Sequence, residues 1–135
     1  MKGILINPFD ETIKEVVYTG NIQEIYDLID CRTFDVVRLN NRDDMYIDDE
    51  GLLIDNRYFT IGNKNYAGRA LIMSHDDMGD TSSTELTVQD IESVVQWLPE
   101  GHRETPNMEF RAWNEYMNLK QIKKLRKKVR RIQVE

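Results

Sequence analysis

The chain has 135 residues, of which 31% are charged and 40% hydrophobic, and it carries a formal net charge of −6. That length suits one domain with an appendage, and the apolar fraction is enough for a modest core and too high for disorder throughout. No apolar run approaches a membrane span, Met1-Lys2 leads straight into an apolar strand with no leader, and the single cysteine, Cys31, excludes an internal disulfide, so a reducing cytoplasm and no membrane are expected.

The first elements read as a hairpin. Gly3-Ile4-Leu5-Ile6 is apolar and β-branched, Asn7-Pro8-Phe9-Asp10 is a turn, and Thr12 to Thr19 alternates, with Ile13, Glu15 and Val17 on one face. Asn21 is placed to cap a short helix whose Ile22, Ile25, Tyr26, Leu28 and Ile29 recur at helical spacing. Cys31, just beyond it, has no histidine near it in sequence and reads as a small core residue rather than a nucleophile.

Phe34 to Leu39 is the clearest strand. It turns through residues 40–44 and returns as Met45 to Asp48, a second hairpin. Arg57 to Ile61 reads as a strand or an irregular connection, and residues 63–65 as a loop. Ala67 to Met73 reads as one buried strand, in which Gly68 hints at a bulge or a close backbone approach. Residues 74–83 form a polar excursion. Thr87-Val88-Gln89-Asp90 resembles a capping box opening a helix with Val88, Ile91, Val94, Val95 and Leu98 on one stripe, stopped at Pro99-Glu100-Gly101. Residues 99–106 read as a linker. Thr105-Pro106 starts a second helix with no Gly or Pro up to about Ile132, roughly 40 Å at 1.5 Å per residue.

The charge reverses sharply along this pattern. Lys120 to Glu135 carries about +7, which leaves about −13 on the first 119 residues. Opposite fields on two parts suit two different contacts. Ile122, Leu125, Val129 and Ile132 form a narrow apolar stripe on the basic helix, and Phe110, Trp113 and Met117 form an earlier one that would anchor it to the domain.

The succession Met1-Lys2-Gly3-Ile4-Leu5-Ile6-Asn7-Pro8, Glu24-Ile25-Tyr26-Asp27-Leu28-Ile29, Phe34-Asp35-Val36-Val37-Arg38-Leu39 and Tyr46-Ile47-Asp48-Asp49-Glu50-Gly51-Leu52-Leu53 resembles a small domain family of unknown function, common in bacteriophages, plasmids and other bacterial mobile elements. The resemblance covers residues 1–98. It implies a phage or mobile-element protein in a host bacterial cytoplasm. It implies no activity, and the extension from residue 100 departs from the usual short form.

No arrangement of residues stands out as catalytic, and none calls for a cofactor or a metal. The acidic hairpin offers Asp43, Asp44, Asp48, Asp49 and Glu50 as a patch for a basic partner surface. A calcium loop is not formed, because Tyr46 stands where an oxygen ligand belongs, and a solvated strand edge is the plainer reading. His75-Asp76-Asp77-Met78-Gly79-Asp80 reads as an exposed polar loop, since the chain has only two histidines. Tyr46, Tyr58, Tyr66, Arg57 and Arg69 would suit a nucleotide, with rings on the base and guanidiniums on phosphate, although core packing claims at least half of such rings. On the basic helix, Lys123, Lys124, Arg126, Lys127, Lys128, Arg130 and Arg131 would dock on an acidic protein groove, or on nucleic acid, although the acidic body would repel the same phosphates. The opposite charges also suit self-association.

The expected fold is α+β: an antiparallel sheet built from hairpins with two packed helices and a long C-terminal amphipathic helix. Residues 1–98 would be the acidic domain, 99–106 a linker and 107–135 the basic extension. The expected function is non-enzymatic. The chain would bind and modulate a host protein or complex, with a sponge for a small nucleotide signal and a nucleic-acid-binding accessory as the alternatives.

Overall fold

A computed structural model describes residues 1–54 and 56–104. The expected helix from Thr105-Pro106 onward, with its Lys123 to Arg131 face, lies outside the described residues.

The strands form two antiparallel sheets. The larger runs in the order β2 (Thr12–Val17), β1 (Lys2–Asn7), β7 (Ala70–His75), β4 (Asp43–Asp48), β3 (Phe34–Arg38), with the two-residue β8 (Thr81–Ser82) also paired to β7. The smaller has β5 (Tyr58–Ile61) between β6 (Lys64–Ala67) and β9 (Val95–Trp97). Helix α1 (Ile22–Ile29), the short α2 (Val88–Glu92) and a single 3-10 turn at Gly51–Leu53 complete the described fold.

Alternation along the central strands makes the large sheet two-faced. Ile4, Ile6, Met45, Ile47, Ala70 and Ile72 point to one side, where Phe59, Tyr66 and Ile91 from the small sheet and α2 cover them. Leu5, Leu71 and Met73 point to the other, where Tyr18 and the Ile25 and Ile29 stripe of α1 cover them. Because β7 is buried on both sides, it reads as a continuous apolar run rather than an alternating one. Gly3 lets β1 and β7 close up on the α1 side: a Cβ there would meet Met73 Sδ at 2.5 Å.

Local chemistry sets most of the boundaries. The Asn21 side chain accepts from Gln23 N at 3.0 Å and caps α1. Asn40 Oδ1 accepts from the amides of Arg42 and Asp43, which closes the β3–β4 turn and starts β4 two residues earlier than the apolar pattern predicts.

Three stretches differ from the sequence reading. The single strand expected over residues 67–73 breaks at Gly68, whose φ of +81° turns the chain out of the small sheet and into the large one. The supposed loop at residues 63–65 is mostly strand, paired back on β5 across Gly62-Asn63. The predicted helix from Thr87 keeps its capping box but ends at Glu92. Val95 to Trp97 then pairs with Ile61 to Phe59, so tertiary pairing of an exposed β5 edge overrides a helical spacing of apolar residues.

Candidate functional site

A cleft of about 530 Å³ opens where the β1–β2 turn, the entry to β5 and the segment after β9 meet. It falls within the roughly 300–1,000 Å³ typical of small-ligand sites. Phe9, Asn56, Arg57, Glu100, His102 and Arg103 line it together with Gly101.

Each wall is held by bonds that the local sequence makes available. Asn7 Oδ1 accepts from Phe9 N at 3.0 Å and Asn7 Nδ2 donates to Asp10 at 3.2 Å. This side-chain turn lifts the Phe9 ring onto the surface, where the residue is 48% exposed. Asn56 Nδ2 donates to Gly51 O and Asn56 Oδ1 accepts from Arg57 N, which aims Arg57. Across the hairpin Gly68 N donates to Arg57 O at 2.8 Å, and Arg69 follows immediately, its guanidinium 5.8 Å from the Phe9 ring centre.

The segment after β9 is tied to Tyr58. Leu98 N donates to Tyr58 O at 3.1 Å and Glu104 N to the buried Tyr58 hydroxyl at 3.3 Å. The His102 ring stands edge-on to the Tyr58 ring at 5.1 Å, and its Nε2 is 3.2 Å from Glu104 Oε1. Asn65 Nδ2 donates to the same carboxylate.

The electrostatics of this corner are unusual for so acidic a chain. The Nε atoms of Arg57 and Arg69 are buried and have no hydrogen-bond partner among the described residues. Ion pairs among the described residues include Lys2–Glu15, Arg32–Glu50, His75–Asp44 and His102–Glu104, and neither arginine enters one of these. A partly buried guanidinium loses hydration, and an acid normally restores the balance.

The structure thus brings together Arg57, Tyr58 and Arg69 of the expected nucleotide-binding set and separates the rest. Tyr46 packs on Phe34 at 5.4 Å on the α1 side of the large sheet. Tyr66 is 7% exposed and lies against Phe59 at 5.6 Å in the core. The ring at the cleft is instead Phe9, overlooked because it sits in a polar turn; a large apolar residue in such a turn was itself a signal. Asn56 and the residues of 100–103 were also missed, since nothing in the spacing of a linker-like stretch shows that it returns to Tyr58.

The acidic hairpin is divided rather than displayed as one face. Asp43 is 8% exposed and accepts from Thr84 Oγ1 at 2.7 Å and Asn40 Nδ2 at 2.9 Å. Asp44 meets His75 Nδ1 at 2.8 Å. Asp48 accepts from Glu50 N at 2.9 Å, and Glu50 pairs with Arg32 at 2.8 Å, with Asp49 between them in sequence. Burial, followed by the Glu50, Asp49 and Asp30 charges, pushes the Asp48 carboxyl above its usual range against the opposing pull of the Glu50 amide. The same corner pushes the Cys31 thiol up to about 11, burial first and Asp48, Asp30 and Glu50 after it. No cluster of three or more metal-ligating side chains occurs among the described residues, and no helix among them is long and apolar enough to cross a membrane.

No curated protein and no solved structure matches the chain. A family described as "Domain of unknown function (DUF3846)" matches residues 1–98, which end one residue after β9 and take in both sheets and both helices. The two-sheet core with its Phe9–Arg57–Arg69 corner is therefore family territory, the strap from Pro99 onward is not, and the chain belongs to the DUF3846 family of domains of unknown function.

Proposed function

We propose that this protein is a non-catalytic binding protein whose cleft beside Phe9 captures a small phosphate-bearing ligand of the nucleotide class. The observation that supports it is the pair of buried arginine Nε atoms without a partner among the described residues. Phosphate oxygens supply the charge and the acceptors that these groups lack, and a guanidinium takes phosphate through paired donors. The half-open Phe9 ring offers a stacking surface for a base, worth roughly 1–3 kcal/mol. His102, which lines the cleft, is engaged with Glu104 and stands against Tyr58, and Glu104 is bonded to Tyr58 and Asn65, which suits fixing a wall.

Calorimetric titration of the full chain with AMP, GMP and pyrophosphate tests this reading. Saturation at a hundred times the dissociation constant would stabilise the fold by about 2.7 kcal/mol. Arg57→Gln would weaken binding of every probe with little change in the melting temperature of the free protein, because the buried Arg57 Nε has no hydrogen-bond partner to lose among the described residues. Failure of every probe to bind at millimolar concentration would refute the proposal.

A second reading follows the acidic corner. Leu53 and Ile54 are 60% and 59% exposed and follow Asp48, Asp49 and Glu50 after Gly51-Leu52. Adjacent apolar and acidic groups suit a contact with a basic surface of a partner protein. In this reading the chain is a mobile-element protein that modulates a host complex in the bacterial cytoplasm. Joint replacement of Leu53 and Ile54 by serine would then abolish partner capture from host lysate, and unchanged capture would count against it.

A further inference from the structure

We infer that ligand choice at the cleft is made by the strap of residues 99–104, beyond the family domain, with Glu100 reading a hydrogen-bond donor edge at the end of the ligand away from its phosphate. The inference rests on the nucleotide reading above and goes beyond it by placing selectivity outside the family domain and naming the base.

Four of the seven lining residues, Glu100, Gly101, His102 and Arg103, follow residue 98, where the family match stops. The family domain supplies Phe9, Asn56 and Arg57, a stacking ring and a cationic group that any nucleotide would satisfy equally. Discrimination then needs a group that differs in its response to different bases, and the strap provides one. Glu100 lines the cleft with Arg57, His102 and Arg103 yet enters none of the ion pairs described above. An ionised carboxylate only accepts hydrogen bonds, through two parallel oxygens. Among the common bases guanine sets two donors, N1–H and N2–H₂, side by side on one edge, whereas adenine offers a donor next to an acceptor. A site built to pair a donor edge rejects a ligand that leaves its acceptor unpaired.

The strap is placed firmly enough to act in this way. Pro99 O accepts from His102 N at 3.1 Å, closing a four-residue turn whose third residue, Gly101, has φ +86°. On either side, Leu98 N and Glu104 N are bonded to the backbone and hydroxyl of Tyr58, the neighbour of Arg57. Glu100 is thus carried on a tight turn anchored to Tyr58, the residue that follows Arg57 at the entry to β5. A Cβ at Gly101 would meet no protein atom within 4 Å, so Gly101→Ala perturbs the turn through its positive φ rather than through a clash within the protein.

The experiment is titration of the full chain with GMP, AMP and pyrophosphate for the natural protein and for Glu100→Gln, Gly101→Ala and Arg57→Gln, with the melting temperature of each free variant recorded. The natural protein would bind GMP about tenfold more tightly than AMP, the size of effect that one hydrogen bond to a charged group produces. Glu100→Gln would lose most of that preference through weaker GMP binding and leave pyrophosphate binding undiminished. Gly101→Ala would also narrow the preference. Arg57→Gln would weaken all three ligands alike. Equal affinity for GMP and AMP in the natural protein, or an unchanged preference in Glu100→Gln at an unchanged melting temperature, overturns the inference while leaving the nucleotide reading standing. Silence of pyrophosphate and both nucleotides overturns the two together.

Discussion

Thr84→Val tests the most consequential polar contact of the core. Thr84 is 3% exposed, and its hydroxyl donates at 2.7 Å to Asp43, a carboxylate 8% exposed and 41 residues away. The same oxygen accepts from Leu86 N at 3.2 Å. Valine has nearly the same shape but neither function. Asp43 keeps its bond from Asn40, so the charge is not wholly orphaned. The loss of a hydrogen bond to a charged group costs about 1.5–3 kcal/mol, and the stranded Leu86 amide adds to it. A total of about 2–3 kcal/mol corresponds to a fall of roughly 10 °C or more in melting temperature for a domain of this size. In urea it appears as a midpoint lower by about 1 M at unchanged slope. A double-mutant cycle with Asp43→Ala isolates the pair, since each single change removes the same bond. A loss below about 0.5 kcal/mol, or additivity of the two changes, would refute the reading of Thr84 as the tie between the β3–β4 turn and the segment after β8.

The acidic corner at the end of α1 gives two further expectations. A thiol held near 11 is scarcely ionised at pH 8, so Cys31 is expected to react with iodoacetamide about 10²-fold more slowly than a free cysteine until the protein is unfolded; equal rates in the folded and unfolded states would exclude the raised thiol. Asp48 is raised, so the folded state holds its proton more tightly than the unfolded state does, and its ionisation costs stability as pH rises through the carboxylate range. Asp48→Asn, which keeps an acceptor for the Glu50 amide, is therefore expected to raise the melting temperature at pH 7 and to leave it unchanged below that range. A variant less stable than the natural protein at pH 7 would reverse the sign.

Elements stabilised by their own neighbours were legible in the sequence. The β1–β2 hairpin, the Asn21-capped α1 and the β3–β4 hairpin carry caps, turns and periodicity within about ten residues of one another. Elements that exist only through a distant partner were not. Val95 and Trp97 fit a helix stripe as well as a strand, and only the Phe59–Trp97 and Ile61–Val95 pairings, more than thirty residues apart in sequence, decide between them. Gly62-Asn63 between Thr60-Ile61 and Lys64-Asn65 had the form of a two-residue hairpin turn, but the short β6 lacks the apolar alternation that would have exposed it. At the site, arginines beside strand aromatics were legible by type. Which rings face outward was not, because that depends on which face of each sheet is covered.

The misread helix and the overlooked strap have one cause. Had residues 87–98 formed a single helix, the chain would have left the domain along the axis of α2, and Pro99 to Glu104 would have had no reason to return to Tyr58. Because β9 pairs antiparallel with β5, it runs back toward the start of β5, and Leu98 arrives opposite Tyr58, one residue from Arg57. The Pro99–His102 turn then needs only a few residues to put Glu100, His102 and Arg103 against Arg57. The edge pairing that closes the small sheet is thus also what completes the cleft. A substitution that favours helix over strand at residues 95–97 would act on the cleft before it acted on the large sheet, whose strands make none of their pairings with β9.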